Sequence, residues 1–266
     1  MTNASRWLLI LLTLVSIHVA EAQQPAKISR IGILINTSLY IASGRVQAFQ
    51  QRLRELGYVE GKNIIVEYRY TEGKLEPLAD LAGELVRLKP DVIVTDTSMA
   101  TQAAKNATKT IPVVFTSAND PVGDGQVASL ARPGGNLTGF SLLAPELNGK
   151  RLELLKEAVS NITRIAFLTR PGTAMAEQRF KEAEADAKRL GLRLQLVGAK
   201  GAADLENAFE EATRAGAQAL LAHPSSFVAT NRARIIELAA EHKLPAIYSS
   251  TPFAEACSWR ATGIGM

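Results

Sequence analysis

Two stretches of this sequence repeat one plan at nearly a single offset. Arg164-Ile165-Ala166-Phe167-Leu168 answers Arg30-Ile31-Gly32-Ile33-Leu34, and Leu190-Gly191 answers Leu56-Gly57, both at 134 residues. Leu244-Pro245-Ala246-Ile247-Tyr248 answers Ile111-Pro112-Val113-Val114-Phe115 at 133. Repetition at a fixed period is the signature of a duplicated structural unit. Within each copy, short apolar runs alternate with segments of helical spacing. Ile31–Ile35 has the all-apolar character of a buried parallel strand. Val46, Phe49, Leu53 and Leu56 recur on one helical face, and Gly57 then ends the helix. Further strands are expected over 63–70, 91–94 and 112–115, with helices over 75–88 and 99–108 between them. In the second copy, 217–221 takes the place of 91–94. Strands linked through helices demand right-handed crossovers and a parallel sheet covered on both faces. The expectation is an α/β chain of two Rossmann-like lobes: residues 23–136, a crossover hinge over 137–144, and residues 145–252.

The N-terminus reads as an export address. Arg6 precedes an apolar run from Trp7 to Ile17, and Ala20-Glu21-Ala22 follows as an A-x-A cleavage site. The run is shorter than the ~20 residues a membrane-spanning helix needs. Residues 1–22 are therefore expected to be a signal peptide, and the remainder a periplasmic chain without an integral membrane span.

Composition excludes several functions. The 266 residues are 47% hydrophobic and 21% charged, ordinary for a folded protein, and the net charge of +4 comes without any basic cluster. Nucleic acid is not an expected partner. The single cysteine, Cys257, rules out an internal disulfide and any cysteine-rich metal site, and the two histidines left after residue 22, His223 and His242, do not make a metal site. No G-x-S-x-G elbow, P-loop, G-x-G-x-x-G fingerprint or H-E-x-x-H helix occurs, so neither an enzyme nor a cofactor is expected.

In open parallel sheets, ligands bind beyond the carboxyl ends of the strands. Two facing lobes would set those ends on opposite walls of a cleft. The segments there are rich in small hydroxyl and amide residues: Thr37 and Ser38, Thr97, Ser98 and Met99, Asn119 and Asp120, then His223, Ser225 and Ser249. Helix starts of this kind offer free N–H groups to an anion such as a carboxylate. The same residues also serve as ordinary caps and turns.

Several motifs come in one order: Gly57-Tyr58-Val59-Glu60-Gly61-Lys62-Asn63, Pro112-Val113-Val114-Phe115, Asp120-Pro121-Val122-Gly123, and Arg132-Pro133-Gly134-Gly135-Asn136-Leu137-Thr138-Gly139. Together they resemble the substrate-binding proteins of ABC transporters for tryptophan/tyrosine-type uptake, over most of the chain from about Lys27 to Ala256. The resemblance implies a type I periplasmic binding protein that closes on a small carboxylate-bearing ligand and delivers it to an ABC permease and its ATPase. It makes Thr97 and Ser98 the expected carboxylate contacts and gives Asp120 a turn to fix. A periplasmic sensing module, or an exported enzyme on the same scaffold, are the alternatives. Two departures stand out. Where relatives often carry an aspartate after the strand at 217–221, this chain reads His223-Pro224-Ser225-Ser226. After Ala256 it reads Cys257-Ser258-Trp259-Arg260 rather than the family's glycine-rich turn and return strand, so residues 253–266 are expected to be an aberrant or truncated tail with C-terminal elements missing.

Overall fold

A computed structural model describes residues 28–37, 39–72, 77–142, 147–249 and 253. The expected signal peptide, Ser38 and the tail after Phe253 lie outside the described residues.

The first lobe runs β1 (Ser29–Ile35), α1 (Leu39–Glu55), β2 (Ile64–Tyr70), α2 (Leu78–Arg87), β3 (Val92–Thr95), α3 (Ser98–Ala107), β4 (Val113–Ala118) and β5 (Leu137–Ser141). Its sheet has the order β2-β1-β3-β4-β5, with every pair parallel. The second lobe runs α4 (Asn148–Ala158), β6 (Arg164–Thr169), α5 (Ala174–Arg189), β7 (Arg193–Gly198), α6 (Leu205–Arg214), β8 (Ala219–Ala222), α7 (Ser226–Thr230), α8 (Arg232–Glu241) and β9 (Ala246–Ile247). Its sheet is also all parallel, in the order β7-β6-β8-β9. The orders coincide once β6 is set on β1, so the repeat seen in the sequence is a repeat of topology.

Strand periodicity explains the layers. In β1, Ile33 and Ile35 pack with Val46, Phe49 and Leu53 of α1, while Leu34 faces the other way onto Leu78, Ala82 and Leu85 of α2 and Ala100 of α3. In β6, Ile165 and Phe167 meet Leu152, Leu155 and Ala183, while Ala166 and Leu168 meet Phe209, Phe227, Ile235 and Leu238. The central strands β1, β6 and β8 are thus covered on both faces, which is why they read as apolar runs rather than alternating ones, whereas β5 leaves Phe140 74% exposed.

The paired glycines at the 134-residue offset do the same work. Gly57 and Gly191 have φ of 85° and 71°, and each ends its helix in a Schellman pattern. Gly57 N–H donates to Arg54 O and Tyr58 N–H to Leu53 O; Gly191 N–H donates to Lys188 O and Leu192 N–H to Ala187 O.

Leu137–Ser141, expected from the sequence to open the passage between lobes, is the fifth strand of the first sheet, paired with β4 through Val113↔Leu137 and Phe115↔Gly139. Gly139 is required there. Its φ is 155°, and a Cβ would stand 1.9 Å from Phe115 O. The chain leaves the first lobe only after this strand.

Candidate ligand-binding cleft

All the parallel strands release the chain toward one gap between the lobes. On the first lobe's side, β1 gives way to Asn36 and Thr37, β3 to Asp96 and Thr97, and β4 to Asn119. On the other side stand Arg170 after β6, His223 after β8 and Ser249 just beyond β9. The gap has two adjoining parts. The first, about 80 Å³, is lined by Thr97, Ser98, Met99 and Asn119 opposite Arg170, Thr173, Met175, His223, Ser225 and Phe227. The second, about 220 Å³, is lined by Thr37, Arg45, Asp96 and Ser117 opposite Pro224, Ser226, Ser249 and Phe253. Thr97, Ser98, Asn119, Pro224, Ser225 and Ser226 belong to both.

Hydrogen bonds cross this gap. Asn119 Nδ2 donates to Pro224 O at 3.0 Å, and Asn36 Nδ2 donates to Ser226 Oγ at 3.3 Å. Asn36 is wholly buried and placed by its other bonds: its N–H donates to Asp96 Oδ1 at 2.8 Å and its Oδ1 accepts from the Thr71 hydroxyl at 2.7 Å. Asp96 also accepts from the Thr37 hydroxyl at 3.1 Å, with Arg45 at 3.9 Å. Burial pushes the Asp96 carboxyl above its ordinary value, against the pull of Asn36, Arg45 and Thr37.

The start of α3 is built for both roles weighed from the sequence. Thr97 Oγ1 accepts from Ala100 N–H at 3.3 Å, the bond of an N-cap. Ser98 is buried; its Oγ accepts from Asn119 N–H at 2.9 Å, and its carbonyl accepts from Gln126 Nε2 at 2.7 Å. The N–H groups of Ser98 and Met99, at the first two helical positions, have no intrahelical acceptor and stand at the positive end of the helix dipole. Opposite, Ser225 caps α7 by accepting from Val228 N–H at 3.2 Å.

His223 is 6% exposed and stacks on Phe167, with centroids 5.4 Å apart. Its Nδ1 has no hydrogen-bond partner. Burial, with Arg179 and Arg151 adding positive potential, pushes the imidazole down to about 3, so it is neutral at physiological pH. The Arg170 guanidinium lies 5.1 Å from the centre of the Phe227 ring.

Of the residues singled out from the sequence, Thr97, Ser98, Met99, Asn119, His223 and Ser225 line the first part of the cleft, and Thr37 and Ser249 the second. Ser38 lies outside the described residues. Asp120 lines neither part. Its Oδ1 accepts from Gly123 N–H at 2.9 Å, where a Cβ on Gly123 would stand 2.2 Å from Oδ2, and its Oδ2 pairs with Arg179 at 3.1 Å. Arg170, Met175 and Phe227 complete the walls; Arg170 lies in a strand-end segment that the sequence already places at the cleft, whereas nothing in the sequence marks Met175 or Phe227. Their alignment on the cleft depends on how β6, α5 and α7 are set, which spacing along the chain does not reveal.

A sequence profile of the family described as ABC transporter substrate binding protein matches residues 31–266. The chain belongs to that family. Among solved structures, a conserved domain protein from Vibrio cholerae O1 biovar eltor superposes on this ABC transporter substrate-binding chain with a TM-score of 0.78 at 30% identity, covering 86% of this chain and 77% of that one. The ABC domain in complex with L-Trp from Streptococcus pneumoniae gives a TM-score of 0.75 at 24% identity, covering 85% and 76%, and shares the fold. A curated protein, the tyrosine-binding protein of Clostridioides difficile (strain R20291), is 34% identical over 123 residues, 46% of this chain. The match spans 35% of that relative's length. Among the described residues, no helix is long and apolar enough to cross a membrane.

Proposed function

We propose that this chain captures a small carboxylate-bearing molecule, amino-acid-like or aromatic, between its lobes and presents it to the permease and ATPase of an ABC importer in the periplasm. Membership of the substrate-binding family supports the transport role, and the Arg6–Ala22 pattern supports export. The observation that carries the ligand reading is the start of α3, where the Ser98 and Met99 N–H groups lie at the dipole's positive end beside an interlobe cleft. A tyrosine-binding relative and a fold neighbour holding L-Trp agree with a carboxylate. Met99, Met175 and Phe227 supply an apolar wall for the rest of the molecule.

Thermal unfolding of the full-length chain against a panel of amino acids, aromatic acids and aliphatic acids tests the reading. A ligand at a hundred times its dissociation constant adds about 2.7 kcal/mol of stability and raises the midpoint visibly. A selective rise with one group of carboxylates is expected. A cooperative melt that no carboxylate shifts contradicts the proposal.

A further inference from the structure

We infer that the cleft selects a small carboxylate carrying no ammonium group over the matching α-amino acid, an inference that rests on the carboxylate-binding reading above and narrows it.

An α-amino acid brings two charges into a cleft, and each needs a partner. The carboxylate has the α3 N-terminus. The ammonium requires an acceptor, best a carboxylate, because an uncompensated buried charge is costly. Among the described residues, Asp96 is the only acidic side chain lining either part of the cleft. It is already committed: it accepts from Asn36 N–H and the Thr37 hydroxyl, and Arg45 lies 3.9 Å away. An ammonium drawn to it would compete with two hydrogen bonds already in place and with the nearby Arg45 guanidinium.

The first part of the cleft is biased the other way. Among the described residues, Arg170 is its only charged wall residue, and no acidic side chain lines it. The wall facing α3 is closed by His223, nine-tenths buried and with Nδ1 unpartnered. Arg179 and Arg151 place positive potential at this ring, which is part of why it stays uncharged. A neutral imidazole can donate to or accept from an uncharged polar group on a ligand. It cannot neutralise a cation. The surroundings therefore suit a molecule that is anionic at one end and apolar or neutral-polar elsewhere.

The test is calorimetric titration of the full-length chain with matched pairs: phenylpropionate against phenylalanine, hydroxyphenylpropionate against tyrosine, and isocaproate against leucine. Within at least one pair the deaminated acid is expected to bind about tenfold tighter or more. Equal or tighter binding of the amino acid in every pair that binds overturns the inference while leaving a working binding protein. If none of the six binds, the best hit of the wider panel decides: a hit with an ammonium overturns the selectivity, one without supports it, and the absence of any hit overturns both this inference and the proposed function. His223→Asp provides a second arm, since it puts a carboxylate where the neutral ring stands. If the variant melts cooperatively, its preference moves toward the amino acid; an unchanged preference overturns the role given to this wall. The wild-type comparison needs no variant and stands by itself.

Discussion

Arg179, on α5 of the second lobe, is ion-paired to Asp124 of the first lobe with both side chains only 1% exposed. Asp120 adds a second carboxylate from the same loop at 3.1 Å, and Glu182 a third from Arg179's own helix at 2.7 Å. Burial raises the Asp124 carboxyl above its ordinary value, while Arg179 and the Ser98 hydroxyl pull it back. Parting the lobes would return the pair to water, which offsets much of the attraction lost. The bridge fixes how the lobes meet more than it stabilises them.

Arg179→Met should therefore be strongly destabilising, by about 3–5 kcal/mol, because it leaves Asp124 buried without its counter-charge. Adding Asp124→Leu should recover much of the loss by removing the stranded charge. Urea unfolding of wild type, single and double variants reads both effects. A harmless single replacement would show that the pair is not enclosed between lobes.

His223 sets a dependence on acid. Its folded value, about 3, lies below the ordinary 6.5, so between these pH values the unfolded chain binds the proton and the folded chain does not. Its contribution is whole above pH 6.5 and is lost as pH falls toward 3, at no more than about 1.4 kcal/mol per pH unit. Asp96 and Asp124, with raised values, act in the opposite sense above the ordinary carboxylate value. The difference between wild type and His223→Gln isolates the histidine. That difference should shrink steadily as pH is lowered from 6.5, and a constant difference would contradict the neutral buried ring.

Gly139→Ala should destabilise the first lobe by roughly 1–3 kcal/mol or more, since the new methyl meets Phe115 O and the backbone must move. The damage falls on the β4–β5 pairing. Amide hydrogen exchange should accelerate at Leu137 and Ser141 before it does in β1. Uniform exchange across the sheet would argue that β5 is not held by this close approach.

Thr97→Ala should cost about 1 kcal/mol of stability through the lost N-cap, and Thr97→Ser should restore it. Ligand affinity should fall with the cap, because the cap orders the turn that presents the Ser98 and Met99 N–H groups. Chemical denaturation with and without ligand separates the two effects. Full stability in Thr97→Ala would remove the cap from the account.

The alternation of strand and helix was legible because the central strands β1, β6 and β8 are covered on both faces and are therefore almost wholly apolar. The duplication was legible because Gly57 and Gly191 both need a left-handed turn at the same place. Leu137–Ser141 was visible as a strand but not as part of the first sheet, since pairing to β4 is a long-range choice that local pattern does not encode. The hydroxyl residues of the cleft were legible as strand-end residues, and Thr97 and Ser225 prove to be helix caps as well as wall. Asp120 was legible as the residue fixing a turn, but its contact with Arg179 was not. Helix α5 carries many charges, and nothing in its spacing marks Arg179 as the one that is buried.

The most direct test of the central claim is to titrate isotopically labelled full-length chain with the tightest carboxylate from the panel and follow backbone amide resonances. The account predicts the largest shifts at the Ser98 and Met99 amides, with smaller ones at Asn119 and His223 across the cleft. Saturable binding that leaves the start of α3 unmoved, with shifts gathered elsewhere, would contradict it.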